Sequence, residues 1–91
     1  MNEAPSEITA VELYWRPGCP FSMTLQAKLQ DSGLPVAEIN IWEDSEAAAR
    51  VRSVAGGSEV VPTVFVGEHA MVNPDLKQVL DAVLHYAPEL A

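Results

Sequence analysis

Val11, Leu13 and Trp15 alternate with Glu12 and Tyr14, the period of two that marks a β-strand. Arg16-Pro17-Gly18 breaks the pattern. Pro20 fits the first position of a helix, where its missing N–H has no helical partner to lose. Ser22, Leu25 and Leu29 follow at i, i+3 and i+7, so a helix is expected to about Ser32, with Gly33 as its left-handed stop. Val36 to Ile41 alternates again, with Ala37, Ile39 and Ile41 on one side. Asp44 or Ser45 is placed to cap a second helix, whose inward face reads Ala47, Val51, Val54 and Ala55, and Gly56-Gly57 ends it. The β-branched run Val60-Val61-Pro62-Thr63-Val64-Phe65-Val66 is interrupted by one proline. Gly67-Glu68 is a turn, and His69 to Val72 returns as a hairpin partner. Asn73 and Pro74 read as the cap and first residue of a third helix. There Leu76, Val79, Leu80, Val83 and Leu84 form the clearest helical stripe in the chain.

The resulting order is βαβαββα. Its first three elements predict a crossover between parallel strands, and its last two strands an antiparallel hairpin. One α/β domain over residues 9–91, a four-stranded mixed sheet flanked by three helices on its two faces, accounts for the pattern. Residues 1–8 are polar, contain Pro5, show no periodicity and are expected to form a flexible N-terminal tail.

A chain of 91 residues with 48% hydrophobic and 20% charged positions has material for one core and reads as an ordinary globular domain. No apolar stretch approaches the ~20 residues of a membrane span, so no membrane partner is expected. The first residues lack the basic and apolar segments of a secretory signal, and a cytoplasmic location is expected. Five basic against 13 acidic residues give a net charge of −8, and only Arg50 and Arg52 lie close together in the chain. Nucleic acid is therefore not an expected partner. A single cysteine excludes an intrachain disulfide and a cysteine-rich zinc site, and no metal site is expected.

That cysteine is the chief chemical candidate. Cys19 stands between Gly18 and Pro20 at the start of the first helix. Free N–H groups and the helix dipole converge there and favour thiolate over thiol. Arg16, three residues upstream, adds a cation. Thiolate is the attacking species in thiol–disulfide exchange. A lone cysteine is often just a small buried hydrophobe, but the loop position, Pro20 and Arg16 favour a reactive thiol here. No motif joins His69 or His85 to Cys19, so a Cys/His hydrolase is not expected. His69 reads as a hairpin residue and His85 as a helix-end cation. Trp15 and Trp42 read as packing residues at strand ends. Glu43, Asp44 and Glu46 read as a solvated helix start.

Tyr14-x-Arg16-Pro17-x-Cys19-Pro20-Phe21-Ser22, followed later by Val61-Pro62-Thr63, resembles a glutaredoxin. The resemblance covers residues 10–86 and implies the thioredoxin fold. Asn40-Ile41-Trp42-Glu43-Asp44, the run from Val61 to Gly67 and Val72-Asn73-Pro74 are most similar to the mycoredoxin branch. Members of that branch act in bacteria that use mycothiol in place of glutathione. The resemblance implies Cys19 as nucleophile, Arg16 as the basic residue bordering the small-thiol site, and Phe21 as the exposed aromatic beside the nucleophile. It implies a cis-proline at Pro62 facing the active site, and at Val61 the backbone that pairs with the bound thiol. On local grounds alone Pro62 belongs at a bulge or edge, and the trans isomer is the commoner.

Two positions depart from the family pattern. Ser22 stands where dithiol members carry a resolving cysteine, so the mechanism is expected to be monothiol. The chain is either a natural monothiol member or one whose resolving cysteine has been replaced by serine. A serine at this helix start can also hydrogen-bond a free N–H or the Cys19 thiolate. The Gly-Gly-x-Asp pattern that holds a glutathione carboxylate is absent, and Val72-Asn73-Pro74-Asp75 stands in its place. Amides after Asn73 can receive a polar group there.

The resemblance implies a thiol-disulfide oxidoreductase that reduces mixed disulfides between proteins and a low-molecular-weight thiol. Mycothiol or glutathione is the co-substrate, S-thiolated client proteins are the partners, the chain is a monomer and no cofactor is bound permanently. The small thiol is expected in a groove between Arg16, Phe21, Val61-Pro62 and Asn73-Pro74-Asp75. The alternative is a 2Fe–2S cluster-binding module of the monothiol glutaredoxin type, against which Pro20 speaks, since it replaces that type's glycine. A ribonucleotide-reductase electron donor needs two cysteines and is disfavoured by Ser22.

Overall fold

A computed structural model describes residues 8–91, so of the tail expected over residues 1–8 all but Ile8 lies outside the described residues. The elements follow the expected order: β1 (Val11–Trp15), α1 (Pro20–Asp31), β2 (Val36–Asn40), α2 (Ser45–Val54), β3 (Thr63–Val66), β4 (His69–Val72) and α3 (Leu76–Tyr86). A short 3₁₀ turn over Pro88–Leu90, which the pattern does not show, closes the chain. The sheet order is β2-β1-β3-β4. β1 runs parallel to β2, with Leu13 opposite Glu38, and antiparallel to β3, with Leu13 opposite Val64. β3 and β4 form the antiparallel hairpin, with Val66 opposite His69. The mixed α/β sheet of the sequence reading is thus the observed one.

Alternation along β1 sends its side chains into two cores. Val11 and Leu13 join Leu25, Leu29, Val64, Val66, Val79 and Val83 beneath α1 and α3. Tyr14 points the other way and joins Cys19, Ile41, Ala47, Ala48, Val51, Val61 and Phe65 beneath α2. All four residues of β3 are buried, as a central strand covered on both faces requires. Ile8, placed in the tail by the sequence pattern, packs against the first core. Gly67 sits in its path: its φ is +61°, and a Cβ there would lie 2.7 Å from the Ile8 side chain. Glycine takes this conformation without strain and leaves the Ile8 side chain in place.

Several local expectations are corrected. Ala48, not Val54, completes the inward face of α2, and Val54 is exposed. Leu84 is exposed although it lies on the apolar stripe of α3, whose buried positions are Val79, Ala82 and Val83. Trp42 is 64% exposed rather than packed at its strand end. The third helix is capped by Asp75, not Asn73. The Asp75 carboxylate accepts from the Gln78 N–H at 2.8 Å, and the Gln78 side chain accepts from the Asp75 N–H at 2.9 Å. This reciprocal pair outcompetes a cap two residues earlier. Asn73 instead takes the left-handed conformation, φ +51°, which its short polar side chain tolerates.

Candidate active site

The site forms where β1 ends, α1 begins and the loop before β3 turns back. Pro20 is the first residue of α1 and Cys19 its N-cap, in an extended conformation. Cys19 is therefore both at a helix start and buried, with 6% exposure; the two alternatives weighed from sequence coincide. Its Sγ–H donates to the Val61 carbonyl at 3.7 Å. That contact joins residues 42 apart in the chain and places the loop before Pro62 against the thiol. The Val61–Pro62 bond is cis. The Pro62 carbonyl accepts from the Asn73 N–H at 2.8 Å, which fixes the start of the α3 approach to the same loop.

The Cys19 thiol is held below the ordinary thiol range. The Ser22 hydroxyl is the foremost cause, burial opposes it, the N–H groups of Ser22 and Phe21 add to it, and the charge of Arg16 contributes last. These are hydrogen bonds to the anionic form, which favour that form. Sγ–H donates to Val61, and α1 has no side-chain cap. The Ser22 hydroxyl, fully buried, has no hydrogen-bond partner among the described residues.

The residues singled out from sequence fall into three groups around Cys19. Val61 and Pro62 lie against it through the thiol contact. Phe21, 69% exposed, lines a groove of about 390 Å³ with Thr24, Lys28, Asn73, Pro74 and Asp75. Arg16 does not line that groove; its guanidinium carbon stands 5.7 Å from the centre of the Trp42 ring, within reach of a cation–π contact. Trp42 itself borders a second depression with Glu43, Asp44 and Glu59. The first amide of α3 to find a side-chain partner is met by Asp75, so it is not free for a ligand group.

Arg50 is the residue whose part the sequence does not show. From α2 it donates to Glu12 at 2.6 Å and to the Tyr14 hydroxyl at 2.7 Å, and its guanidinium lies 3.9 Å from the Phe65 ring centre. Tyr14 in turn donates to Glu12 at 3.1 Å and meets Phe65 edge-on. The alternation of β1 places Glu12 and Tyr14 on one face, but no sequence spacing links them to Arg50. His69 stacks on Tyr86, and His85 meets the same ring edge-on, away from the cysteine's core. Among the described residues no group of three or more His, Cys, Asp or Glu is placed to hold a metal ion. No described helix is long and apolar enough to cross a membrane.

The glutaredoxin family profile matches residues 11–71, from β1 through the cysteine and the cis-proline to β4. The chain belongs to the glutaredoxin family. Among curated proteins it is similar to the hybrid peroxiredoxin hyPrx5 of Haemophilus influenzae, 34% identical over 70 residues. That match covers 76% of this chain and 28% of the relative, so the chain corresponds to about a quarter of that protein's length. Among solved structures, a mutant form of the thioredoxin-like protein BC3987 matches with a TM-score of 0.67 at 21% identity. The match covers 85% of this glutaredoxin and 96% of that chain. The unmutated BC3987 gives the same TM-score at 20% identity, covering 78% and 96%. These likenesses establish the thioredoxin-like fold implied by the sequence resemblance.

Proposed function

We propose that this glutaredoxin reduces mixed disulfides between proteins and a low-molecular-weight thiol by a monothiol mechanism at Cys19. The observation that carries the reading is the placement of the single cysteine. It is the N-cap of α1, its thiol is held low, and it lies against the backbone of Val61. In the first step the Cys19 thiolate attacks the small-thiol sulfur of a client mixed disulfide. A bond forms between Sγ and that sulfur, the client S–S bond breaks, and the client sulfur leaves with the electron pair and takes a proton from solvent. In the second step another small-thiol anion attacks the small-thiol sulfur on Cys19. The small-thiol disulfide forms, and Sγ leaves as thiolate. Ser22 offers no second sulfur, so no internal disulfide enters the cycle.

Val61 and Pro62 border the attached thiol, Phe21 and Asn73 line the adjoining groove, and Arg16 flanks the nucleophile from the Trp42 side. The net charge of −8, with Asp75 in the groove, favours the uncharged sugars of mycothiol over the carboxylates of glutathione. The similarity to a hybrid peroxiredoxin makes a thiolated peroxiredoxin cysteine the first client to test.

The experiment is mass spectrometry of the protein after incubation with oxidised mycothiol and, separately, oxidised glutathione, followed by addition of the matching reduced thiol. The expected result is one small-thiol adduct on Cys19, formed faster with mycothiol and removed by the reduced thiol. Absence of any adduct with either disulfide overturns the reading. A brown protein from anaerobic purification would point to the cluster-binding alternative.

A further inference from the structure

Trp42 is a large ring to which the thiol chemistry gives no part. It is 64% exposed, yet its backbone is fixed on both sides. Ile41 before it is buried, and the Trp42 N–H donates to the Asn40 side chain at 2.9 Å. The Glu43 N–H donates to the Asn40 carbonyl at 3.1 Å, and Asp44 caps α2. An anchored turn thus holds an apolar ring out in water, where it forgoes most of the stabilisation that burial gives an indole. What the ring meets there is Arg16, whose guanidinium carbon stands 5.7 Å from its centre.

Arg16 is held differently from most other cations of the chain. Arg50, Arg52 and Lys77 each pair with a carboxylate. Among the described residues Arg16 forms no ion pair, although Glu43 and Asp44 directly follow Trp42. A carboxylate partner would cancel its charge, whereas an aromatic face fixes the guanidinium and leaves the charge in place. That charge still reaches Cys19, where it acts behind the Ser22 hydroxyl and the first-turn N–H groups in lowering the thiol. Arg16 nevertheless stays off the groove that Phe21, Asn73, Pro74 and Asp75 line. The cation that does line it is Lys28, in the last turn of α1. Cys19 and Lys28 lie toward opposite ends of that helix, on the order of 13 Å apart along its axis.

We propose that Trp42 is a positioning residue that sets the charge selectivity of the thiol site: it parks Arg16 beside Cys19 but outside the groove, so that a small thiol bearing carboxylates meets Asp75 and no cation at the reactive end. The proposal rests on the reading of that groove as the small-thiol site. Without the ring, Arg16 is a long side chain with no ion pair, free to swing to the groove and meet an anionic ligand. An uncharged ligand gains nothing from that release.

The test is the rate at which Cys19 of the full chain is S-thiolated by two small symmetrical disulfides, followed by mass spectrometry. One is bis(hydroxyethyl) disulfide, which is uncharged, and the other is dithiodipropionate, a dianion. In each case the Cys19 thiolate attacks one sulfur, the S–S bond breaks, and the other half leaves as a thiolate that takes a proton from water. Trp42→Ala should raise the ratio of the dianion rate to the neutral rate about threefold, the scale of one exposed charge pair. Trp42→Phe, which keeps a weaker cation-binding face, should fall between the two. The rise should fade at high salt and should vanish in an Arg16→Ala background, because the ring acts only through Arg16. An unchanged ratio overturns the proposal. So does a changed ratio that persists without Arg16, or an equal change in both rates, the mark of a purely structural role. If Cys19 reacts with neither disulfide, the thiol-exchange reading of the site fails and the proposal falls with it. Reaction with both, with no preference that depends on Arg16, overturns this proposal alone.

Discussion

The starts of α1 and α3 face the same loop and are built on opposite principles. At α3, Asp75 and Gln78 satisfy one another's backbone groups in a closed pair. α2 is finished in the same spirit, with the Asp44 carboxylate accepting from the N–H groups of Glu46 and Ala47. At α1 the capping position is given to a thiol that turns away, beside a buried hydroxyl without a partner. Two helix starts are made stable and the third is left incomplete at the reactive atom. Local rules of capping and polar satisfaction are broken where chemistry is done and obeyed elsewhere.

The largest effects should come from closing that open start. Cys19→Ser places an oxygen acceptor at the N-cap, and de-thiolation should be lost entirely. Below the pH at which the cysteine ionises, urea denaturation should show a gain of about 1 kcal/mol, the usual worth of a serine cap. The advantage should shrink as pH rises. The Cys19 pKa is lowered in the folded protein, so the stability linked to its ionisation is lost as pH falls through that lowered value. It is regained as pH climbs toward the unfolded thiol value of ~8.5. Residual turnover in Cys19→Ser, or a constant stability difference across that window, breaks the contrast between the two starts.

At the far end of the α2-side core, Arg50 represents the satisfied extreme. Arg50→Ala removes hydrogen bonds to Glu12 and Tyr14 and the cover over Phe65. The expected cost is about 2 kcal/mol, read as a lower urea midpoint with unchanged slope. The Cys19 pKa should not move, because Arg50 is not among its causes. A shifted cysteine titration in this variant would show that the two ends of the core are coupled.

Asp75 tests the closed start directly. Asp75→Ala should cost about 1 kcal/mol, and Asp75→Asn, which keeps an acceptor at the cap, a few tenths. Equal losses in the two variants would assign the effect to charge rather than to capping.

How far these contrasts can be read from sequence depends on the range of the interactions involved. The seven main elements follow from periodicity and from Pro20, Gly33 and Gly67, because strand and helix patterns are local. The position of Cys19 at a helix start is legible for the same reason. The pattern misplaces the α3 cap because Asn73-Pro74 and Asp75 both carry helix-start signals, and only the reciprocal bond to Gln78 decides between them. Contacts made by chain reversal leave no local trace. The thiol on Val61, Arg50 on Glu12, and Arg16 over Trp42 each join residues that only the assembled sheet brings together. The cis state of Val61–Pro62 is implied by family resemblance alone, since X–Pro bonds are mostly trans.

The smallest effect concerns the residue that the sequence pattern offers as the α3 cap. Asn73 has φ +51°, its N–H is bound to the Pro62 carbonyl at 2.8 Å, and it lines the groove beside Phe21. Glycine adopts that conformation without strain but gives the unfolded chain more freedom, so the two contributions oppose each other. Asn73→Gly should therefore change stability by less than about 0.5 kcal/mol and keep the backbone bond to Pro62. If the asparagine amide contacts the small thiol only as part of the groove, its loss weakens ground state and transition state alike. The KM for the small thiol should rise a few-fold at constant kcat. Asn73→Ala, with the same side-chain loss but a left-handed alanine, should match that KM while costing about 1 kcal/mol in stability. A fall in kcat for both variants would instead mean that Asn73 acts on Cys19 through the Pro62 loop, and the separation between a stable α3 start and a reactive α1 start would no longer hold.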